Sequence, residues 1–180
     1  SRQVNLTVSL HVGLARKHPD ILSFLVATHN LGGTSTSRLF MNLSDDKGYT
    51  YGSYAQAAPK GRGLLWVANA ETRAEVAMPA LREIEGEIRR LREEPVPAET
   101  LEAAKRNLAG RFAIQLASLG STANRLAVLE RAGVDSAEDL ASYGRRVDAL
   151  TPADIQRAAR LFLDPDKMLT VAVGDRAALP

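Results

Sequence analysis

The chain contains no cysteine. That removes disulfides, thiolate metal ligands and cysteine nucleophiles together, and it leaves the redox compartment undecided. There is a single tryptophan, whereas platforms for single-stranded nucleic acid need several exposed aromatic rings. Neither sign of charge dominates: 23 Lys and Arg face 21 Asp and Glu, so the net charge is only +2 despite a pI near 9.1. No broad positive field for nucleic acid follows. No apolar run approaches the roughly 18 residues that span a bilayer, and no charged-then-apolar leader opens the chain. The phosphate-binding spacings G-x-G-x-x-G and G-x-x-x-x-G-K-[ST] are both missing, and "LGGTSTSRLF", which has glycines before a helix start, fits neither. A sugar- or nucleotide-binding domain is therefore disfavoured.

What is present is an ordinary globular composition, 45% apolar and 24% charged over 180 residues, enough for one domain with a real core over residues 1–180. Because "SRQVNLT" enters a strand pattern at once, the chain reads as a segment excised from a longer protein. In "QVNLTVSLHVGL", Val4, Leu6, Val8, Leu10, Val12 and Leu14 alternate with Asn5, Thr7, Ser9 and His11. Period two over this length predicts a strand with one buried and one polar face. Pro19 opens a helical segment that stops at Gly32 and Gly33, and a short second helix, capped by Ser35 or Thr36, carries Leu39, Phe40 and Leu43 and ends at Gly48. Two strands, "YTYGSYAQAA" and "GLLWVANAE", are joined by the hairpin loop "PKGRG".

Five helices follow. Val76, Ala77, Ala80, Leu81, Ile84, Ile88 and Leu91 mark the first, which "EEPVP" breaks. Leu101, Ala104, Leu108, Phe112 and Leu116 mark the second, and Leu126 and Leu129 the third. Asp135 with Glu138 and Thr151 with Asp154 supply start signals for the last two, and "KMLTVAV" closes with a strand. The expected architecture is α+β: a two-layer sandwich whose mostly antiparallel four-stranded sheet carries helices on one face. Its other face meets water, a ligand or another domain.

Candidate chemistry is sparse. His11, His18 and His29 lack the four-residue helical spacing of a zinc helix and have no acid placed to activate water, so no metal site is expected in this chain. Asp45 and Asp46 are sequence neighbours and diverge, whereas paired-carboxylate hydrolysis needs groups that converge across a cleft. They are expected turn residues. Ser35, Ser37 and Ser44 have no nucleophile-elbow context and no nearby base, and no catalytic residue is assigned. The charge-alternating "REIEGEIRRLREE" is a solvated helix face.

In order and spacing, "LGG…SRLF", "KGYTY", "PVPAETLEAAKRNLAGRFA" and "LTPADI…VAVGD" resemble the repeated domains of the pitrilysin or insulinase family of zinc peptidases. Mitochondrial processing peptidases and respiratory-complex core proteins belong to the same group. The likeness runs over nearly the whole chain. It implies two homologous halves closed around a peptide, the N-terminal one bearing the inverted zinc motif H-x-x-E-H. Since that motif is absent here, the chain resembles the C-terminal half, which lends residues that hold substrate.

The resemblance also implies where those residues sit. Active members carry an arginine after the leucine of "NLSDDKGYTY" and a tyrosine after its glycine. The tyrosine matches Tyr51, and the arginine position is Ser44. A guanidinium is a charged, forked donor and a serine hydroxyl a short neutral one, so the replacement removes most of the electrostatic help. Arg38 in "SRLF" is a weak candidate for compensating it. Tyr51 also has a plain packing reading beside Tyr49 and Tyr54. Strict alternation puts Tyr49, Tyr51 and Ser53 on one face and Thr50, Gly52 and Tyr54 on the other.

The implied role is the substrate-holding half of a zinc peptidase. Zinc would come from a homologous half-domain or subunit, in a homo- or heterodimer or one longer chain, with a peptide as substrate and neither nucleic acid nor a membrane span involved. The alternative is an inactive member serving as an assembly or interaction module.

Overall fold

In the computed structural model, which describes residues 3–174, the alternating segment forms strand β1 (Gln3–Val12). It lies inside a four-stranded sheet of order β2-β3-β1-β4, with β2 (Thr50–Lys60), β3 (Gly63–Arg73) and β4 (Leu169–Gly174). Every neighbouring pair is antiparallel. The apolar row of β1, Val4 to Val12, is buried together with Leu64, Trp66, Ala68 and Ala70 of β3. Between the strands come helices α1 (Ile21–Gly32), α2 (Arg38–Phe40), α3 (Ala77–Glu93), α4 (Ala98–Leu116), α5 (Leu119–Arg131), α6 (Ser136–Asp148) and α7 (Pro152–Phe162). The expected element order holds, and so does the α+β architecture. Asp175, the end of "VAVGD", lies outside the described residues.

Phe24 of α1, Ile84, Ile88 and Leu91 of α3, and Ile155 of α7 are fully buried in one core with the sheet. Each aliphatic side chain so buried is worth about 1.5–3 kcal/mol in removed apolar surface. Helix α7 starts as the sequence predicts: Thr151 accepts from the Asp154 amide while Asp154 accepts from the Thr151 amide, a complete capping box. At α6, Asp135 accepts from the Glu138 amide at 3.0 Å.

Two details differ from expectation. The residue preceding α2 at the cap position is Ser37, not Ser35 or Thr36; Thr34 and Thr36 bond to each other at 3.1 Å, and the Ser37 hydroxyl donates to the Thr34 carbonyl at 2.6 Å. The local turn thus takes the hydroxyls that a cap would have used. The second half of α4 also leaves the core. Leu101 and Ala104 are buried, but Ile114 is 76% exposed and Leu119, opening α5, is 90% exposed. A helix of 19 residues is about 28 Å long, and α4 packs on α1, α5 and α6.

The other sheet face is open. Asn5, Thr7 and Ser9 pair in register with Val173, Val171 and Leu169, so polar and apolar rows lie side by side there. No helix among the described residues is long and apolar enough to cross a membrane.

Candidate functional site

The short second helix widens as it ends. Beyond α2 the backbone passes into a π-helix over Met41–Asp46, and the chain reverses at Gly48, whose φ is +60°. Glycine adopts that left-handed conformation without the penalty a Cβ would bring. The amide of Tyr49 donates to the Leu43 carbonyl at 2.8 Å, and that of Gly48 to Ser44 at 3.1 Å. Widened turns of this kind recur at functional sites. The outer side of the turn is tied to α3: Asn42 donates to Glu83 and Glu87 at 3.1 and 2.8 Å, and Lys47 pairs with Glu83 at 3.1 Å.

Strand β2 then begins with a bulge. Thr50 pairs with Thr72 and Ser53 with Ala70, so Tyr51 and Gly52 together face the single residue Glu71. The Gly52 amide donates to the Thr50 hydroxyl at 3.1 Å, and that hydroxyl donates to the Gly52 carbonyl at 2.8 Å. The extra residue breaks the alternation. Ser53 is fully buried and Tyr51 is 100% exposed, so the two do not share a face. A Cβ at Gly52 would lie 2.8 Å from the Tyr54 ring, which would have to shift to make room.

Ser44 and Tyr51 line one hollow of about 660 Å³, together with Tyr49, Gly52, Tyr54 and Glu71. Arg38 does not join them. It lines a separate hollow with Asn42, Glu83, Glu87 and Arg90, and burial pulls its guanidinium below the ordinary arginine value. Sequence reasoning missed Glu71, Arg73 and Gln3, which complete the Tyr51 hollow. The hairpin pairing was the available signal, since it carries the end of β3 to the start of β2.

The histidines are scattered. The His11 ring lies 3.4 Å from the Lys60 carbonyl on the open face, and His18 accepts from the Asp20 amide at 3.1 Å. His29 is buried near the end of α1. Among the described residues no three His, Cys, Asp or Glu side chains converge as metal ligands do. The residues present do not fit a zinc centre, and no step of chemistry is routed through one in this chain.

Burial, and then the charge of Arg111, hold the His29 imidazole below its ordinary value. The unfolded chain takes up a proton near pH 6.5 that the folded chain refuses. Stability should therefore be full above about pH 6.5 and fall as the pH drops below it. Urea midpoints followed across that range should fall less steeply for His29→Gln than for the wild type.

The family described as "Peptidase M16 inactive domain" matches residues 1–108. No curated protein matches the chain. Among solved structures, the peptidase M16 inactive domain from Pseudomonas fluorescens is 25% identical with a TM-score of 0.86, and the alignment covers 96% of this chain and 41% of that one. The present chain thus spans about two fifths of that protein's length. The inactive peptidase domain of a protein provisionally described as a zinc protease, from Bordetella parapertussis, is 20% identical with a TM-score of 0.82, covering 98% and 96%. A chain of complex III2 from Candida albicans is 12% identical with a TM-score of 0.78, covering 94% and 42%. These last two likenesses concern the fold alone. With three fifths of its length matched by the family description and the same α+β sandwich in its structure, this chain belongs to the inactive domains of the M16 peptidases.

Proposed function

We propose that this domain is the substrate-holding, non-catalytic half of a zinc peptidase, and that a preceding domain or partner subunit of the same fold supplies the zinc. The observation that carries the reading is the full exposure of Tyr51, set by a bulge, in the hollow it shares with Ser44. A large aromatic side chain kept wholly in solvent contributes little to the stability of its own fold. Its hydroxyl is free to donate to a peptide carbonyl, or to the oxyanion that develops as the peptide is cleaved. Metal and activated water would come from the other half, as Lewis acid and nucleophile source. The two halves would associate within one longer chain or as a homo- or heterodimer.

The test is peptide hydrolysis by this chain combined with its zinc-bearing partner. Tyr51→Phe removes one hydroxyl and leaves the ring. Removing a donor to a developing oxyanion costs about 100-fold in kcat, and that loss is expected here. An unchanged rate would take Tyr51 out of the mechanism.

Ser44 favours a second reading, an inactive member that serves in assembly or protein interaction. At that position a neutral hydroxyl stands where the resemblance implies a guanidinium. If Ser44→Arg raises hydrolysis by the reconstituted pair, the site is an eroded catalytic one. Absence of hydrolysis in every combination favours the assembly module.

A further inference from the structure

Strand β2 is an edge of the sheet, so one side of its backbone has no strand beside it. A groove of about 920 Å³ runs along it, lined by Tyr54, Ala55, Gln56 and Ala57 among others. Successive strand residues point to opposite faces, and here Ala55 is buried while Tyr54 and Gln56 are exposed. Residues of both kinds line the groove, as do Asn69 of β3 and Gly32 and Gly33 of α1, so its wall takes in the edge of β2 together with the sheet and helix beside it. The opposite wall is the second half of α4 with the start of α5, including Arg111, Ile114 and Gln115. Ile114, 76% exposed, gives that wall an uncovered apolar contact.

The groove has a definite sign. Its lining includes Arg111 and Arg125, beside a His29 that burial keeps neutral, and among the described residues no aspartate or glutamate. In a chain with 21 acidic residues that absence is informative. Arg111 is exposed and has no ion-pair partner among the described residues. At the far end, Arg125 and Arg146 both pair with Asp139. Two guanidiniums on one carboxylate leave an excess of positive charge.

We propose that this groove binds an extended acidic peptide segment, which pairs with the free edge of β2 and sets its carboxylates against Arg111 and the Arg125 end. The inference rests on the peptide-holding reading and deepens it by naming the substrate class. Backbone pairing supplies affinity without regard to sequence, and the arginines supply the selection.

The experiment is fluorescence anisotropy with the 180-residue chain and short labelled peptides that differ only in bearing Glu, Gln or Lys at alternate positions. The Glu peptide is expected to bind about tenfold tighter than the Gln peptide, and the margin should shrink as salt is added. Arg111→Glu should abolish the margin, with circular dichroism showing that this exposed substitution leaves the fold intact. Methylating alternate backbone nitrogens of the Glu peptide should weaken binding, since pairing to the edge needs those donors. Equal binding of the Glu and Gln peptides overturns the acidic preference while leaving peptide holding intact. No binding by any peptide overturns both. A concentration-dependent dimer that Arg111→Glu dissolves would make a second copy of the chain the occupant, and that also overturns the proposal.

Discussion

Replacing Gly32 by alanine is expected to destabilise the fold by about 3 kcal/mol or more, at the upper end of what overpacking costs. A Cβ on Gly32 would lie 2.1 Å from the amide nitrogen of Ala55 and 2.8 Å from the carbonyl carbon of Tyr54. Both are backbone atoms of β2, so no side-chain rotation relieves the collision. Helix α1 would have to lift off the strand whose edge it helps to frame. Gly86, exposed in the middle of α3, is the control, because a Cβ there meets nothing within 4 Å. Gly86→Ala should stabilise by about 0.5–1 kcal/mol, the ordinary gain on removing a glycine from a helix interior. Thermal or urea unfolding of the two variants should thus shift in opposite directions. A neutral Gly32→Ala would mean that α1 does not rest on β2 as described.

The second large effect is expected at Asp139. Its side chain is 9% exposed and accepts from Arg125 Nη2 at 2.9 Å, while Arg146 donates to both its carboxylate and its backbone carbonyl. The Arg125 guanidinium also lies 4.8 Å over the Phe112 ring and 5.1 Å over that of Tyr143, and these two rings stack at 4.3 Å. Asp139→Ala leaves Arg125 desolvated and unpaired, a change that costs about 3–5 kcal/mol for buried pairs. Near the lower end of that range, the melting temperature of a chain this size should fall by roughly 6–12 °C. Arg146→Ala should cost less, about 1 kcal/mol, because its side chain is 38% exposed and Asp139 keeps Arg125. If the two substitutions cost the same, the cluster is not organised around the buried carboxylate.

The core was legible because its signal is simple repetition. Val4 to Val12 on β1, and Ile84, Ile88 and Leu91 on α3, are buried where period two and the helical period place them. Gly48 was legible for a different reason, since a helix end followed at once by a strand needs a sharp reversal. Ser44 and Tyr51 could be paired only through a family likeness. Nothing in the spacing of the turn says that a π-helix and a bulge bring them to one hollow. The alternation rule misplaced Tyr51 because a bulge adds a residue without altering the residue types on either side. The exposure at the end of α4 was missed because Leu101, Ala104, Leu108, Phe112 and Leu116 keep one period while burial weakens along it: Leu101 and Ala104 are buried, Leu108 and Phe112 only half-buried. Periodicity shows which side of a helix is apolar and not whether anything lies against it.

The bulge has a consequence for any chain laid along β2. Regular pairing stops at Ser53, where the doubled residues turn the edge out of line. An added strand thus reaches the end of its track two residues before Tyr51. The sheet edge then works as a ruler, whose zero mark lies just short of the phenol and whose length is counted in backbone pairs.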